Sequence, residues 1–217
     1  MSSHGVDRRW PMVELSEVAD HTLGKMLDKK KNKGRLLPYL ANPNVRWFDV
    51  DTSDLKVMPF EPSEDERYGL RAGDVVVCEG GEAGRAAVWD GRLPDVKFQK
   101  AIHRVRVGPR LDARYLVHRL LADYTSGRLS DYYTGATIKH LTGQDLARYR
   151  FPLPPIEEQR RIAAILDKAD ALRARRRAAL AQLDTLTQAI FLDRFVNRGH
   201  PSVAVADVCD LITDGTH

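Results

Sequence analysis

Hydrophobic and polar positions in the first two thirds of the chain follow the short periods of β-strands. Residues 73–79, GDVVVCE, form a nearly continuous apolar run of the kind found in buried strands. Residues 101–107, AIHRVRV, alternate with a period of two, so that Arg104 and Arg106 share one face while valines occupy the other. The pattern predicts that this second strand buries its apolar face and exposes a basic one.

Glycines and helical periodicity indicate how these strands are connected. The stretch from Gly80 to Gly84 separates the run 73–79 from residues 85–89, RAAVW, which have the pattern of a returning strand. This favours a hairpin turn, because glycine supplies the positive φ angles of tight turns; a phosphate-binding loop is the alternative. Residues 112–126 have the pattern of an amphipathic helix that ends at Gly127, and its apolar side consists of Leu116, Leu120, Leu121 and Tyr124. We therefore expect a strand-rich, mixed α/β (α+β) domain in residues 1–155.

The pattern changes completely at residues 151–155, FPLPP. Residues 156–197 contain no glycine or proline and are rich in Ala, Leu, Arg, Glu and Gln, which favour helix. Proline is tolerated in the first turn of a helix, and Gly199 and Pro201 provide a stop. The sequence thus predicts three parts: a mixed domain of residues 1–155, one long α-helix over 156–198, and the start of a further unit over 199–217.

The long helix carries an apolar seam with the spacing of a coiled coil. Its positions recur at alternating intervals of four and three residues and are interrupted only by Arg176; they are Ile165, Ala169, Leu172, Ala179, Leu183, Leu186 and Ile190. A single helix cannot bury such a straight seam alone. We expect its partner to be the equivalent helix of a second copy or of a second half of the protein; folding back on the preceding domain is the alternative.

The end of the chain resembles its beginning. Residues 202–217, SVAVADVCDLITDGTH, match residues 12–26, MVELSEVADHTLGKM, when the sequence is shifted by 190 positions. Apolar residues fall on apolar residues, and Glu17 falls on Asp207. This favours a sequence unit that restarts near residue 202, although two short alternating segments can also match by chance.

The distribution of charge makes nucleic acid a candidate partner. The net charge of +4 arises within residues 1–155, whereas residues 156–217 are neutral overall. Seven Lys and Arg residues lie between Val96 and Arg119 against one acid, Asp112, and a second basic run covers residues 25–35. Such clusters are typical of surfaces that neutralise phosphates, although a solvated face gives the same pattern.

Composition narrows the setting of the protein. Cys78 and Cys209 are far apart and lack a CxxC partner, so that neither a disulfide framework nor a zinc site is indicated. No run of 18 apolar residues exists, and the first eleven residues precede no apolar segment of a signal peptide. We expect a soluble protein of a reducing compartment, the cytoplasm, without a membrane partner.

Motifs for catalysis are few. The sequence lacks a P-loop, an H-E-x-x-H zinc motif, a G-x-S-x-G elbow and a dinucleotide-binding G-x-G-x-x-G. Two acid-x-Lys patterns, residues 54–56 and 95–97, could hold Mg²⁺ in a nuclease if Asp49 and Asp51 together, or Asp74, completed the site. His103, on the apolar side of its strand, is expected to be an interior residue rather than a ligand.

Several segments resemble one family in order along the chain. FPLPPIEEQRRIAAIL, residues 151–166, is similar to the proline-rich approach and Glu-Gln-containing helix of type I restriction-modification specificity subunits. Further similar segments are LPYLANPNVRWFDVD (37–51), LRAGDVVVCEGGEAGR (70–85), the region of Gln99, TGATIKHLTGQDL (134–146) and LITDGTH (211–217). The resemblance covers nearly the whole chain, but the extension MSSHGVDRR before Trp10 is not part of the family pattern.

The resemblance implies an organisation and a function. Proteins of this family alternate DNA target recognition domains with long helices that form an antiparallel coiled coil. Residues 1–155 would be one target recognition domain, 156–198 the spacer helix, and 199–217 the start of a second recognition domain, so that the chain would be about half a specificity subunit.

The family resemblance also implies partners. Double-stranded DNA would be bound without chemistry, while modification (methyltransferase) subunits methylate adenine and a restriction subunit cleaves. S-adenosylmethionine, ATP and Mg²⁺ would belong to those subunits, and this chain would carry no cofactor. It has no N-P-P-[FY] methyltransferase motif, since residues 42–44 read Asn-Pro-Asn. A nuclease and a coiled-coil scaffold without DNA binding remain the alternatives.

Candidate residues follow from charge and resemblance together. For phosphate contact we select Lys97, Lys100, Arg104, Arg106 and Lys139. For base reading or close approach to the backbone we select Arg85, Gln99, Thr134 and Thr137. By resemblance, four residues at the root of the helix would help to seat the modification subunit, or would only fix the start of the helix: Pro154, Pro155, Glu158 and Gln159.

Overall fold

The computed structural model describes residues 10–28, 30, 32–135, 137, 139–196, 199 and 201–209. Within it the chain divides into two compact units, Met1–Leu166 and Asp167–His217. The first unit contains the sheets and their core together with the first turns of the long helix, and the second contains the remainder of that helix and the residues after it.

Short strands dominate the first unit. The strands are β1 (Met12–Glu14), β2 (Ala19–Leu23), β3 (Arg35–Leu40), β4 (Val45–Arg46), β5 (Asp49–Val50), β6 (Lys56–Phe60), β7 (Val75–Cys78), β8 (Ala86–Val88), β9 (Lys97–Phe98), β10 (Ile102–Val107) and β11 (Arg150–Pro152). The α-helices are α1 (Asp65–Tyr68), α2 (Ala113–Thr125), α3 (Gly143–Ala147) and α4 (Ile156–Phe191).

The main sheet has the order β2-β10-β7-β8, and its neighbouring strands are antiparallel. A second sheet has the order β6-β3-β9, in which β9 runs parallel to β3. The predicted strands at 73–79 and 101–107 are therefore confirmed as β7 and β10. The predicted hairpin is also confirmed, because β7 pairs with β8 across the glycine-rich turn.

Helix α2 covers the main sheet and closes the larger core. Asp112 caps its first turn, since its carboxylate accepts a hydrogen bond from the backbone of Tyr115. Gly127 follows in the left-handed conformation, with φ of 79°. The helix buries Leu116 and Leu120 against the core that also contains Val75 and Val105. The helix expected at residues 112–126 is thus confirmed, but its predicted apolar side is buried only at Leu116 and Leu120, since Leu121 is half-buried and Tyr124 is exposed.

The root of the long helix is fastened to the domain. β1 pairs with β11, which places Phe151 and Pro152, the first two residues of FPLPP, beside Val13 and Met12. Gln159 is fully buried in the first helical turns. Its amide donates to the carbonyl oxygens of Arg110 and Pro154, and its Oε1 accepts from the backbone N–H of Asp112. The expectation that Gln159 touches a partner subunit is therefore contradicted, because every polar atom of its side chain is used inside the domain.

Helix α4 confirms the predicted long helix from Ile156 to Phe191, and five further residues, Leu192–Val196, continue it as a π-helical turn. Its seam is exposed in this single chain: Leu172, Leu183, Leu186 and Ile190 are each about half accessible, at 55%, 58%, 50% and 49%. None of the helices formed by the described residues is both long and apolar enough to cross a membrane. Of the predicted restart over residues 202–217, residues 202–209 are described and form one 3-10 turn, Val205–Asp207, whereas LITDGTH lies outside the described residues.

Candidate nucleic-acid interface

Several chain segments meet where strands of both sheets end. The parallel strands β3 and β9 both run toward this edge, so Asn42–Asn44 and the residues after Phe98 lie at the same side. In the main sheet, β7 ends and the antiparallel β10 begins there, and the backbone N–H of Glu79 donates to Ala101. We call this edge the loop end; it consists of residues 42–44, 79–81 and 99–101 and of the described residues 134, 135, 137, 139 and 140.

Asn42 holds two of these segments together. Its side-chain amide donates to the carbonyl oxygen of Gly80 at 2.6 Å, while its Oδ1 accepts from Arg85 Nη2 at 2.7 Å. The same Arg85 nitrogen also donates to the Asn42 carbonyl oxygen, and Nη1 pairs with Glu82 at 2.7 Å. Arg85 thus connects the turn 42–44 to the turn between β7 and β8, and its side chain is only 17% exposed. Its predicted contact with DNA would require it to exchange these partners.

Four described residues between positions 134 and 140 present polar side chains to solvent, namely Thr134, Thr137, Lys139 and His140. Thr134 and His140 form an isolated antiparallel bridge, and the backbone N–H of Leu141 donates to the Glu79 carbonyl oxygen at 2.7 Å. A Cβ placed on Gly80 would lie 3.1 Å from the His140 ring, so the absence of a side chain there permits the close approach. Three predicted residues, Thr134, Thr137 and Lys139, are therefore exposed at the loop end.

The predicted residues Gln99 and Lys100 also lie at the loop end. The backbone N–H of Gln99 donates to Leu40, and its partly exposed side chain lines a pocket beside the Asn42–Asn44 turn. Lys100 is exposed, and its backbone N–H is bonded to Lys25. Five of the nine residues selected from sequence thus lie together with their side chains accessible, namely Gln99, Lys100, Thr134, Thr137 and Lys139.

The structure contradicts the predicted phosphate contacts of Lys97 and Arg104. Lys97 is 2% exposed, and its Nζ pairs with Asp65 at 2.7 Å; this hydrogen bond lowers the pKa of Asp65. Arg104 is 7% exposed and donates to the carbonyl oxygens of Glu66, Arg67 and Gly69. Its strand is internal in the sheet, and the segment around α1 covers the face that was expected to be open.

Arg106 has an internal partner as well. Its guanidinium makes two hydrogen bonds to the buried Asp74, at 2.8 and 2.9 Å, and this pairing raises the pKa of Arg106. A charge that is already balanced in this way contributes little to phosphate binding. It also lies toward the end of β10 that is opposite the loop end. We therefore do not retain Arg106 among the DNA contacts.

The remaining ionisable candidates also have definite places. His103 is fully buried, as expected, and its Nε2 lies 3.0 Å from the Leu141 carbonyl oxygen, to which it donates as the neutral tautomer; burial lowers the pKa of His103 to about 4. In the part of the chain that the structure describes, no three His, Cys, Asp or Glu side chains are grouped as metal ligands. Of the two acid-x-Lys patterns considered for a nuclease, residues 95–97 contain Lys97, which is buried and paired with Asp65.

The residues predicted to seat another subunit surround the helix root. Pro154 and Pro155 line an open, mainly apolar pocket of about 340 Å³ together with Pro11, Pro109, Arg110, Leu153 and Ile156. Glu158 accepts two hydrogen bonds from the exposed Arg161 side chain. Pro155 is exposed and Glu158 is half-buried, so both remain accessible to a partner, whereas Pro154 is buried like Gln159 and its predicted contact with another subunit is not supported.

Comparison with known proteins identifies the family. Residues 7–182 match the model of the type I restriction modification DNA specificity domain. The chain belongs to this family. The identification made from FPLPPIEEQ and its companion segments is thereby confirmed. As a type I specificity domain, the chain has the expected mixed fold with one long helix, which is confirmed by its solved relatives.

The relatives are longer than this type I specificity domain. The MjaVIII specificity subunit of Methanocaldococcus jannaschii, a type I restriction enzyme subunit, is 23% identical over 169 residues, which are 75% of this chain and 40% of that protein. The HsdS subunit from Thermoanaerobacter tengcongensis aligns with a TM-score of 0.62 and 25% identity over 87% of this chain and 46% of its own. A further solved chain, from work on complex assembly and conformational transition of the type I R-M system, aligns with a TM-score of 0.63 and 26% identity. The alignment covers 87% of this chain and 47% of that one. The chain spans about half the length of these relatives.

Sequence reasoning missed Asn42 and His140 at the loop end. Asn42 lies in the family-like segment 37–51 but was not selected as a site residue, yet it connects the turn 42–44 to Gly80 and Arg85. An Asn-Pro pair after a strand is a turn signal, and this could have indicated its position. No comparable pattern marks His140, whose place depends on contacts between distant segments.

Proposed function

We propose that this chain recognises a specific sequence of double-stranded DNA and that the loop end of its mixed domain is the contact surface. The observation that carries the proposal is the convergence of exposed polar and basic side chains on segments that the sheets hold in place, in a chain of the type I DNA specificity family. Function commonly resides in loops that a rigid scaffold positions.

Two kinds of contact are expected within the loop end. Lys100 and Lys139 are exposed and have the charge needed to neutralise phosphates, which orients a protein on the duplex. Gln99, Thr134 and Thr137 are uncharged side chains that donate and accept hydrogen bonds, as base edges in the major groove require. Sequence preference would therefore depend on the second group and affinity mainly on the first.

We further propose that the chemistry occurs in other subunits. The complete relatives are described as specificity subunits of type I restriction enzymes, and this chain would direct modification and restriction subunits to its site. S-adenosylmethionine, ATP and Mg²⁺ would be bound by those partners. The exposed Pro155 and the apolar pocket that it lines support a docking role for the helix root. The exposed seam supports pairing of α4 with a second copy or a second half.

A gel-shift experiment with a pool of random-sequence duplexes, with and without Mg²⁺, tests the proposal. Retarded duplex that stays intact in both conditions is the expected result. Cleavage by the purified chain that depends on Mg²⁺ would favour the nuclease alternative. Duplex that stays intact and is not retarded would contradict the proposal and would favour the alternative of a coiled-coil scaffold that does not bind DNA.

A further inference from the structure

A polar pocket adjoins the loop end. It has a volume of about 450 Å³ and lies between the turn 42–44, the residues before β6, and Gln99. Its lining combines acidic, basic and amide groups: Asn44, Arg46, Asp51, Asp54, Lys56 and Gln99, with Ala41 and Pro43. Because Gln99 and residues 42–44 belong to the loop end, a duplex bound there would pass over this pocket.

Asn44 gives the pocket a fixed wall. Its Oδ1 accepts from the backbone of Ala41 at 2.8 Å, and its Nδ2 donates to the carbonyl oxygens of Asp51 and Asp54 at 3.0 and 3.4 Å. One side chain thus ties the turn after β3 to the turn before β6. The position of residue 54 is therefore set by the fold.

The two acids of the pocket differ in whether their carboxylates are used. Asp51 accepts hydrogen bonds from the backbone and hydroxyl of Ser53, at 3.0 and 2.6 Å, and lies 3.7 Å from Arg46, so its role is to build the turn. The Asp54 carboxylate is exposed and has no hydrogen bond or ion pair with any residue that the structure describes. Asp54 is thus held in place by its backbone while its side chain stays available.

A carboxylate on a DNA-binding surface has few favourable partners. It repels phosphates, and it cannot donate to the acceptor atoms of guanine or thymine in the major groove. It can accept from the exocyclic amino group of cytosine (N4) or adenine (N6). Lys56, also exposed and without a described partner, lines the same pocket and would offset the repulsion from neighbouring phosphates.

We propose that Asp54 is a specificity-determining residue that accepts a hydrogen bond from the amino group of one cytosine or adenine, read beside Gln99 in this pocket. The inference rests on the proposed function, since it needs duplex DNA at the loop end. It goes further by naming an acidic reader and the chemical group that the reader requires.

Selection from a random-sequence duplex library tests the proposal in the full chain. The unaltered protein should enrich one motif, and Asp54→Ala should enrich the same motif with a single position relaxed. Asp20→Ala is the matched control, because Asp20 is an exposed acid that lines a different pocket. If the unaltered protein enriches no motif, the proposed function fails; if Asp54→Ala enriches an unchanged motif, only the role of Asp54 fails.

Removal of the amino group then identifies the contact. At the relaxed position, adenine is replaced by purine or cytosine by 2-pyrimidinone, each of which lacks the amino group. Binding by the unaltered chain should weaken by about five- to tenfold, which is at the lower end of the range for one side chain that reads one base. Binding by Asp54→Ala should not change. Equal losses in both proteins would overturn the proposal. Asp54→Leu, which is close in size but has no acceptor atom, repeats the test if the alanine variant does not fold.

Discussion

Replacement of Gln159 by alanine tests how the long helix is anchored. The side chain is fully buried, and the substitution removes its three hydrogen bonds, to Arg110, Pro154 and Asp112. The bond to Pro154 is buried on both sides, whereas the other two groups are only partly buried. We therefore expect Pro154 to keep an unsatisfied carbonyl and the others to recover part of their hydrogen bonding from water.

The size of the effect follows from these contacts. Each intramolecular hydrogen bond contributes about 1 kcal/mol net, and a buried group left without a partner costs about 1–3 kcal/mol. Gln159→Ala should lower the free energy of unfolding by roughly 3 kcal/mol. This exceeds the effect of a surface substitution, which is usually within about 0.5 kcal/mol.

Urea unfolding followed by tryptophan fluorescence measures this change, because Trp89 is buried in the first unit. Gln182→Ala is the matched control, since it removes the same side chain from an exposed position of the same helix. The control should leave the midpoint nearly unchanged, while Gln159→Ala shifts it to lower urea at a similar slope. A loss below about 1 kcal/mol, or equal effects of the two variants, would refute the reasoning.

Three further predictions concern pH, backbone and the helix seam. Burial lowers the pKa of His103 to about 4, so the unfolded chain binds a proton at a higher pH than the folded chain does. The free energy of unfolding should therefore fall by roughly 3 kcal/mol in total as the pH drops from about 6.5 toward 4. In urea unfolding at several pH values, His103→Gln should remove this part of the pH dependence. Gly84→Ala should lower the free energy of unfolding by about 1–3 kcal/mol more than Gly73→Ala in the same assay. Both glycines have φ near 90°, but only at Gly84 would an added Cβ clash with a side chain, 2.2 Å from Leu129. Equal losses in the two variants would contradict this prediction. If α4 pairs between copies, sedimentation should show a dimer that Leu183→Asp makes monomeric, and a monomer that the substitution leaves unchanged would exclude this pairing.

The periodic parts of the fold were predictable from sequence. Strands β7 and β10, helix α2 and helix α4 each follow a regular pattern that has glycine or proline near its ends, and these signals are local. The position of the hairpin between β7 and β8 follows in the same way. Local sequence patterns were sufficient to predict these elements because tertiary packing keeps the secondary structure that each pattern favours.

The burial of charged residues was not predictable in this way. Alternation in β10 shows that Arg104 lies on the face opposite Val105, but it does not show what covers that face. The covering carbonyl groups belong to residues 66–69, more than 30 positions away in sequence. Gln159 was misjudged for a similar reason, since two of its three partners lie almost 50 residues earlier.

The salt dependence of duplex binding tests the central claim most directly, namely that DNA contacts the loop end. Lys100→Ala with Lys139→Ala removes two exposed charges at that end, and Arg71→Ala with Arg110→Ala removes two exposed charges at the opposite end of the main sheet. The slope of the logarithm of the binding constant against the logarithm of salt concentration should flatten by about 1.8 in the first double variant and stay unchanged in the second, because each phosphate contact contributes about 0.9. An unchanged slope in the first variant, or an equal change in both, would contradict the account.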